Sequence, residues 1–212
     1  MSLIDRIKEE KLIAILRGIP SDSIADLAEA LYQGGVRFIE VTFDQKAKDS
    51  SETLKGISLI AEKFGGRVEV GAGTVLSPEQ VREAAAAGAK YIISPDSNRE
   101  VIEETKRLGL ISMPGALTPT EIASAYRWGA DFVKVFPSSN LGPGYIKAIA
   151  APLSHIPLIA VGGINPDNAK DYLKAGCCGI GAAGNMVNKE WLKNGEFDKI
   201  TEVAKQFVAA VK

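Results

Sequence analysis

The chain has 212 residues, enough for one domain with a sizeable buried core. Its 25 Lys and Arg residues nearly balance its 26 Asp and Glu residues, so neither nucleic acid nor an anionic membrane surface is an expected partner. The single histidine and the two adjacent cysteines, Cys177 and Cys178, predict no disulfide framework and no metal site. We therefore expect no metal or cofactor and a reducing, cytoplasmic location.

The sequence also lacks the signals of membrane insertion or secretion. No run of about 18 apolar residues is present, and the first residues contain no apolar signal core. We expect no membrane partner.

Short β-branched runs alternate with amphipathic runs along the whole chain. The predicted strands cover 12–16, 38–41, 68–72, 91–94, 110–113, 132–136, 158–161 and 179–182. The predicted helices cover 23–33, 51–63, 78–87, 99–108, 119–128, 145–150, 168–174 and 198–211, with one more at 3–10 before the first strand.

Residues that begin and end helices recur between these segments. Gly88, Gly109 and Gly129 follow predicted helices, where a residue at positive φ commonly ends a helix. Ser77 and Thr118 precede proline and are good N-caps. These helix-capping residues support the predicted alternation of strands and helices.

Strands that alternate with helices indicate right-handed βαβ units and a parallel sheet. Eight such units predict an α/β fold, a single (β/α)₈ TIM barrel over residues 1–212, with an extra N-terminal helix. An open doubly wound sheet is the alternative. It typically has a Gly-x-Gly-x-x-Gly turn after its first strand, and 16–20 is not such a turn.

Lys134 lies among large apolar residues in the sixth predicted strand. Burial disfavours the charged ammonium, and lowering its pKa from about 10.4 to about 7 takes roughly 4–5 kcal/mol. The resulting neutral amine is able to attack a carbonyl and form a Schiff base. The alternative is a structural lysine whose stem packs while its ammonium reaches water.

Glu40 is a second charged residue in an apolar strand. Alternation places it with Phe38 and Thr42 on one strand face. If this face and that of Lys134 point inward, the carboxylate and the amine share one cavity, where Glu40 is a general acid–base. The alternative is an ion-pair partner for Arg17 or Lys134.

Other side chains follow strands at the end of the barrel where active sites are found. Arg17, Thr74 and Pro95 follow the first, third and fourth strands. Two glycine-rich turns, at 161–165 and 181–185, follow the last two strands. In such barrels these turns commonly bind phosphate through backbone N–H groups, although simple loop closure is the alternative.

Several motifs together resemble one enzyme family, the bacterial 2-keto-3-deoxy-6-phosphogluconate / 4-hydroxy-2-oxoglutarate aldolases, over essentially the whole chain. The motifs are Gly34-Gly-Val-x-x-Ile-Glu-Val-Thr42, Gly71-Ala-Gly-Thr-Val-Leu76, Ile93-Ser-Pro95, Met113-Pro-Gly115, Thr118-Pro-Thr-Glu121, Lys134-Val-Phe-Pro137 and Gly162-Gly-Ile164.

This resemblance implies a metal-independent class I aldolase, a lyase of carbohydrate metabolism. It would cleave a 2-keto-3-deoxy-6-phospho sugar acid or 4-hydroxy-2-oxoglutarate to pyruvate and an aldehyde, either glyceraldehyde 3-phosphate or glyoxylate. The partners would be these small molecules, and the typical assembly would be a homotrimer.

The resemblance also implies roles for individual residues. Lys134 would form the Schiff base and Glu40 would be the acid–base residue. The remaining residues would bind substrate: Thr74, Pro95 and Phe136 around pyruvate, and Gly162, Gly163 and Gly184 at a terminal phosphate.

Three positions depart from the family pattern. Asp44 stands where gluconate-type members have an arginine near the substrate carboxylate, so Arg17 is a candidate for that task. Gly184 replaces the phosphate-loop serine, and Val161 replaces a threonine. The motifs at 16–19, 136–139, 142–148 and 160–163 are more similar to the 2-keto-3-deoxy-6-phosphogalactonate branch. A phosphate-binding barrel isomerase or synthase, and a barrel that binds a metabolite without turnover, are the remaining alternatives.

Overall fold

The computed structural model describes all 212 residues and contains one sheet of nine parallel strands. The strands are β1 (Leu12–Leu16), β2 (Phe38–Thr42), β3 (Glu69–Gly73), β4 (Tyr91–Ile93), β5 (Ile111–Met113), β6 (Gly115–Ala116), β7 (Val133–Val135), β8 (Leu158–Val161) and β9 (Cys177–Ala182). Their order in the sheet is β5-β4-β3-β2-β1-β9-β8-β7-β6.

The two ends of this sheet are adjacent in the chain, which closes the barrel. Only Pro114 separates β5 from β6; β5 pairs with β4, whereas β6 pairs with β7. Proline has no N–H to donate, so the strand is divided where it stands. The Lys134 N–H still donates to the Pro114 carbonyl at 2.9 Å. β5 and β6 are therefore two halves of one barrel strand, and the predicted (β/α)₈ barrel is confirmed.

Helices surround the barrel in the predicted alternation. They are α1 (Leu3–Glu10), α2 (Ser21–Gln33), α3 (Ser51–Phe64), α4 (Pro78–Ala86), α5 (Arg99–Arg107), α6 (Pro119–Arg127), α7 (Gly142–Ala150), α8 (Pro166–Lys174), α9 (Lys189–Lys193) and α10 (Phe197–Val211). A 3₁₀ turn covers Ser138–Asn140. None of these helices combines the length and apolar character needed to cross a membrane.

Most predicted boundaries differ from the observed ones by one or two residues, and the reasons are local. The largest difference is at α7, which begins three residues earlier than predicted, whereas α2, α8 and β9 each begin two residues earlier. Helices α7 and α8 include Pro143 and Pro166 in their first turns, where proline fits because its missing N–H has no partner there. Helix α9, the 3₁₀ turn and β6 were not predicted.

Capping residues fix the helix starts as the sequence predicted. The Ser77 side chain accepts a hydrogen bond from the Gln80 N–H, and Thr118 forms a reciprocal capping box with Glu121. Gly88, Gly109 and Gly129 all have positive φ.

Two apolar clusters hold the fold together. The larger one lies between the strands and the surrounding helices. The smaller one fills the barrel and includes the fully buried rings of Phe38, Tyr91 and Phe132. Burial of each such ring contributes roughly 2–3 kcal/mol. The barrel interior is therefore a packed apolar medium below the strands' carboxyl ends.

The predicted N-terminal helix closes the opposite end of the barrel. Ile7 of α1 belongs to the inner cluster, and Leu3 and Ile4 pack against it. Arg6 pairs with Glu69, and its guanidinium lies 5.7 Å from the centre of the Phe38 ring. Water therefore reaches the interior mainly from the end where the strands terminate.

Candidate active site

A cavity of about 510 Å³ opens at the carboxyl ends of the strands. Its walls are formed by the ends of strands and the loops that follow them, as in other barrels of this class. Eight of the nine predicted site residues line it: Arg17, Thr74, Pro95, Lys134, Phe136, Gly162, Gly163 and Gly184. The ninth, Glu40, lies beneath it.

Lys134 projects from β7 into the bottom of this cavity and is 4% exposed. Its ammonium forms no hydrogen bond or ion pair within the chain, and Nζ lies 4.7 Å from the centre of the Phe136 ring. Burial lowers the pKa of Lys134; the negative charge of Glu40 opposes this shift, and the positive charge of Arg17 adds to it. The local environment therefore favours a neutral amine.

Glu40 is 1% exposed and lies on β2, across the barrel from β7. Its carboxylate accepts no hydrogen bond from the chain and does not come within the 4.0 Å of an ion pair with Lys134. Burial raises the pKa of Glu40, while the positive charges of Lys134 and Arg17 lower it. The interpretation of Glu40 as a simple ion-pair partner is therefore not supported by the geometry.

A void of about 10 Å³ connects the two residues, since both line it together with apolar side chains. This is about the volume needed for one water molecule. Burial raises the pKa of Glu40 and lowers the pKa of Lys134, so it stabilises the neutral form of each group relative to the charged form. Such a pair is suited to passing a proton directly or through one water.

Two glycines of β3 make room for neighbouring buried side chains, one of which is Glu40. A Cβ on Gly73 would lie 1.7 Å from Oε1 of Glu40, and one on Gly71 would lie 2.2 Å from the Tyr91 ring. Gly71 is also the residue that pairs with Glu40 in the sheet. The Tyr91 hydroxyl is buried without a hydrogen-bond partner, and nothing in the structure explains this. Gly73 is thus needed to accommodate the Glu40 carboxylate, and Gly71 is needed to accommodate the Tyr91 ring.

Thr74 follows β3 with a φ of +57°, a conformation that a β-branched residue rarely adopts. The Gln45 side chain donates to its carbonyl at 2.7 Å. Strained residues of this kind concentrate at functional sites, where the surrounding structure holds them in place. The position of Thr74 at the cavity wall fits that pattern.

The two glycine-rich turns differ in whether their backbone conformation and packing require glycine. Gly162 and Gly163 have φ values of +101° and +70°, and a Cβ on Gly163 would lie 2.4 Å from that of Ser139. Gly184 has open space around its Cα. The Asn185 side chain joins the two turns by donating to the Ile164 carbonyl at 2.8 Å. Glycine at 162 and 163 therefore has a packing role, whereas Gly184 leaves space at the mouth of the cavity.

The three departures from the family pattern fall in different places. Asp44 lies outside the cavity and accepts a hydrogen bond from the Lys46 N–H. No acidic side chain lines the cavity, so Arg17 faces it unopposed. Val161 and Gly184 both line it.

Sequence reasoning did not single out five residues of the cavity wall: Ile15, Ile164, Gly181, Ala183 and Asn185. Ile15 was identifiable by alternation, because it lies two residues before Arg17. The others lie in or next to the predicted glycine-rich turns, and no signal in the sequence distinguished them from ordinary loop residues.

Comparison with known proteins identifies the family. Residues 3–203 match the model of the family described as "Aldolase: KDPG and KHG aldolase". The 2-dehydro-3-deoxy-6-phosphogalactonate aldolase of Escherichia coli K12 is 39% identical over 82% of this chain and 83% of its own length. The KHG/KDPG aldolase of the same strain is 34% identical over 88% of this chain and 85% of its own.

A solved structure agrees with these sequence matches. The KDPG aldolase of Legionella pneumophila, crystallised with pyruvate captured as a covalent carbinolamine intermediate, superposes with a TM-score of 0.86. The two sequences are 27% identical, and the match covers 96% of this chain and 97% of the Legionella pneumophila chain. The chain therefore belongs to the KDPG and KHG aldolase family and is a lyase, as the motifs around Glu40 and Lys134 predicted.

Proposed function

We propose that this class I aldolase cleaves a 2-keto-3-deoxy-6-phospho sugar acid, of the gluconate or galactonate configuration, to pyruvate and glyceraldehyde 3-phosphate. 4-Hydroxy-2-oxoglutarate, cleaved to pyruvate and glyoxylate, is the second proposed substrate. The observation that carries this proposal is Lys134, a buried amine without an ionic partner at the bottom of the 510 Å³ cavity at the strands' carboxyl ends.

The proposed reaction begins with attack of the neutral Lys134 amine on the C2 carbonyl of the substrate. Glu40 donates the proton with which the carbinolamine hydroxyl leaves as water, and a protonated imine forms. The C3–C4 bond then breaks, its electron pair moves into the imine as an enamine, and the Glu40 carboxylate takes the proton of the C4 hydroxyl. The aldehyde departs, Glu40 returns the proton to C3, and hydrolysis releases pyruvate and the amine.

The other lining residues hold the substrate in this scheme. Thr74, Pro95 and Phe136 surround the pyruvate portion. Arg17 pairs with the carboxylate, since a planar guanidinium matches carboxylate geometry and no acidic side chain competes for it in the cavity.

The phosphate would bind at the glycine-rich turns, where Gly162, Gly163 and Gly184 offer backbone N–H groups without side chains in the way. The names of the two Escherichia coli relatives support phosphorylated sugar acids as the substrate class. The captured carbinolamine of the Legionella pneumophila enzyme supports the covalent route.

We also propose that residues 1–212 act as one catalytic domain within a homotrimer, the assembly implied by the family resemblance. A cytoplasmic location fits the free thiols of Cys177 and Cys178, which a reducing compartment preserves.

Turnover tests the proposal directly. Gluconate- and galactonate-derived phosphorylated keto acids and 4-hydroxy-2-oxoglutarate would be supplied separately, and released pyruvate would be measured with lactate dehydrogenase and NADH. We expect cleavage by the wild type and by Lys174→Met, a surface control, and none by Lys134→Met, whose side chain is nearly isosteric. Normal turnover by Lys134→Met, or no cleavage of any of the three by the wild type, would contradict the proposal.

A further inference from the structure

A recess of about 140 Å³ continues from the catalytic cavity along the outer side of Arg17. It shares Ile15, Arg17 and Gly184 with the cavity, so the two spaces are contiguous. Ile19 and Val187 give it apolar walls, and Lys189 also lines it. A molecule bound in the cavity is therefore able to extend into the recess.

The recess contains two cations and no acidic residue. Neither the Arg17 guanidinium nor the Lys189 ammonium forms a hydrogen bond or an ion pair within the chain. The positive charge at the recess is thus left for an external anion.

The backbone places Lys189 beside Arg17. Gly18, the residue after Arg17, has a φ of +61°, and a Cβ built on it would lie 3.4 Å from Nζ of Lys189. The lysine ammonium therefore lies over the residue that follows Arg17, and both cations line the recess. Two cations that line one small recess produce a combined field that favours a doubly charged ligand.

We propose that Lys189 is a specificity-determining residue that binds the distal phosphate of the substrate in this recess. The inference rests on the proposed function and deepens it. Phosphate held near Gly184 would receive backbone N–H groups from the turn and the ammonium of Lys189, whose charge offsets the missing serine hydroxyl at position 184. Arg17 would lie between this phosphate and the substrate carboxylate and would attract both.

Two measurements on Lys189→Met test the inference, with Lys193→Met as the control. Lys193 is on the same short helix and does not line the recess. In steady-state kinetics, Lys189→Met should raise KM for the phosphorylated keto acid about tenfold, the equivalent of one lost charged hydrogen bond. The kcat/KM for the non-phosphorylated analogue should stay within twofold of the wild type. An unchanged KM, or equal losses on both substrates, would overturn the inference.

The second measurement does not depend on turnover. The Tm of the wild type and of both variants would be measured in inorganic phosphate and in sodium chloride at equal ionic strength. The rise in Tm from chloride to phosphate reports phosphate binding. Phosphate should stabilise the wild type and Lys193→Met equally and Lys189→Met much less. Equal rises in all three proteins, or none in the wild type, would refute the subsite. Absence of aldol cleavage in a protein that passes this test would instead count against the proposed function.

Discussion

Glu40 and Lys134 lie close enough to share a water-sized void, yet they form no ion pair, so their tasks are separable. We expect Glu40→Gln to lower kcat at least a hundredfold, because the amide is unable to take or return a proton, and general acid–base catalysis typically contributes about 10²–10⁴-fold. Imine formation with pyruvate should be slower but should not be lost, because the amine is intact and water is able to protonate the carbinolamine hydroxyl in place of Glu40. Stopped-flow turnover and borohydride trapping measure the two steps. If Glu40→Gln lost borohydride trapping but kept turnover, this assignment of tasks to Glu40 and Lys134 would be wrong.

The buried amine also predicts a pH profile. Only neutral Lys134 attacks pyruvate, so the rate of imine formation should rise with pH and level off above its pKa. Because burial lowers that pKa, the midpoint should lie below the ordinary lysine value of about 10.4.

The effect of Glu40 on this profile has a definite sign. Its negative charge raises the pKa of Lys134, so Glu40→Gln should move the midpoint to lower pH. Trapping with cyanoborohydride across a pH series measures both midpoints. A wild-type midpoint at or above 10.4, or a shift to higher pH in the variant, would be inconsistent with this environment.

Among the elements, β3 has the most direct effect on the site, because two of its glycines leave room for neighbouring side chains. Gly73→Ala would place a methyl group in the position of the Glu40 carboxylate. We expect a loss of about 1–3 kcal/mol in the free energy of unfolding, as in other overpacked cores, together with a large loss of kcat.

The matched control is Gly144→Ala in α7, where an added Cβ has no neighbour within 4 Å and φ is not positive. This change should be neutral or stabilising by about 0.4–1 kcal/mol. Urea denaturation measures both variants. A Gly73→Ala protein as stable and active as the control would show that the packing of Glu40 is looser than the structure indicates.

The sequence predicted the elements well because strands, glycines and caps are local signals. Lys134 and Glu40 were recognisable because a charge within an apolar strand is rare. The position of Glu40 beneath the cavity was not predictable, because alternation gives the strand face on which a residue lies but not its distance from the cavity. Lys189 had no signal at all: it lies beside Gly18 only because of the fold, and an exposed lysine in a short helix is ordinary in a sequence.

For the assembly, the family resemblance predicts three copies of the barrel. Light scattering coupled to size-exclusion chromatography should therefore give about three times the 22.5 kDa mass of one chain. A mass equal to one chain at micromolar concentration would rule out the trimer.

The barrel as a whole provides what the amine needs: an apolar interior closed at one end by α1, strands that converge on one cavity, and a single buried lysine within it. The most direct test is to incubate the protein with pyruvate, reduce it with borohydride, and map the modified peptide by mass spectrometry. We predict one reduced pyruvate adduct per chain, on Lys134. No adduct, or an adduct confined to another lysine, would contradict the account.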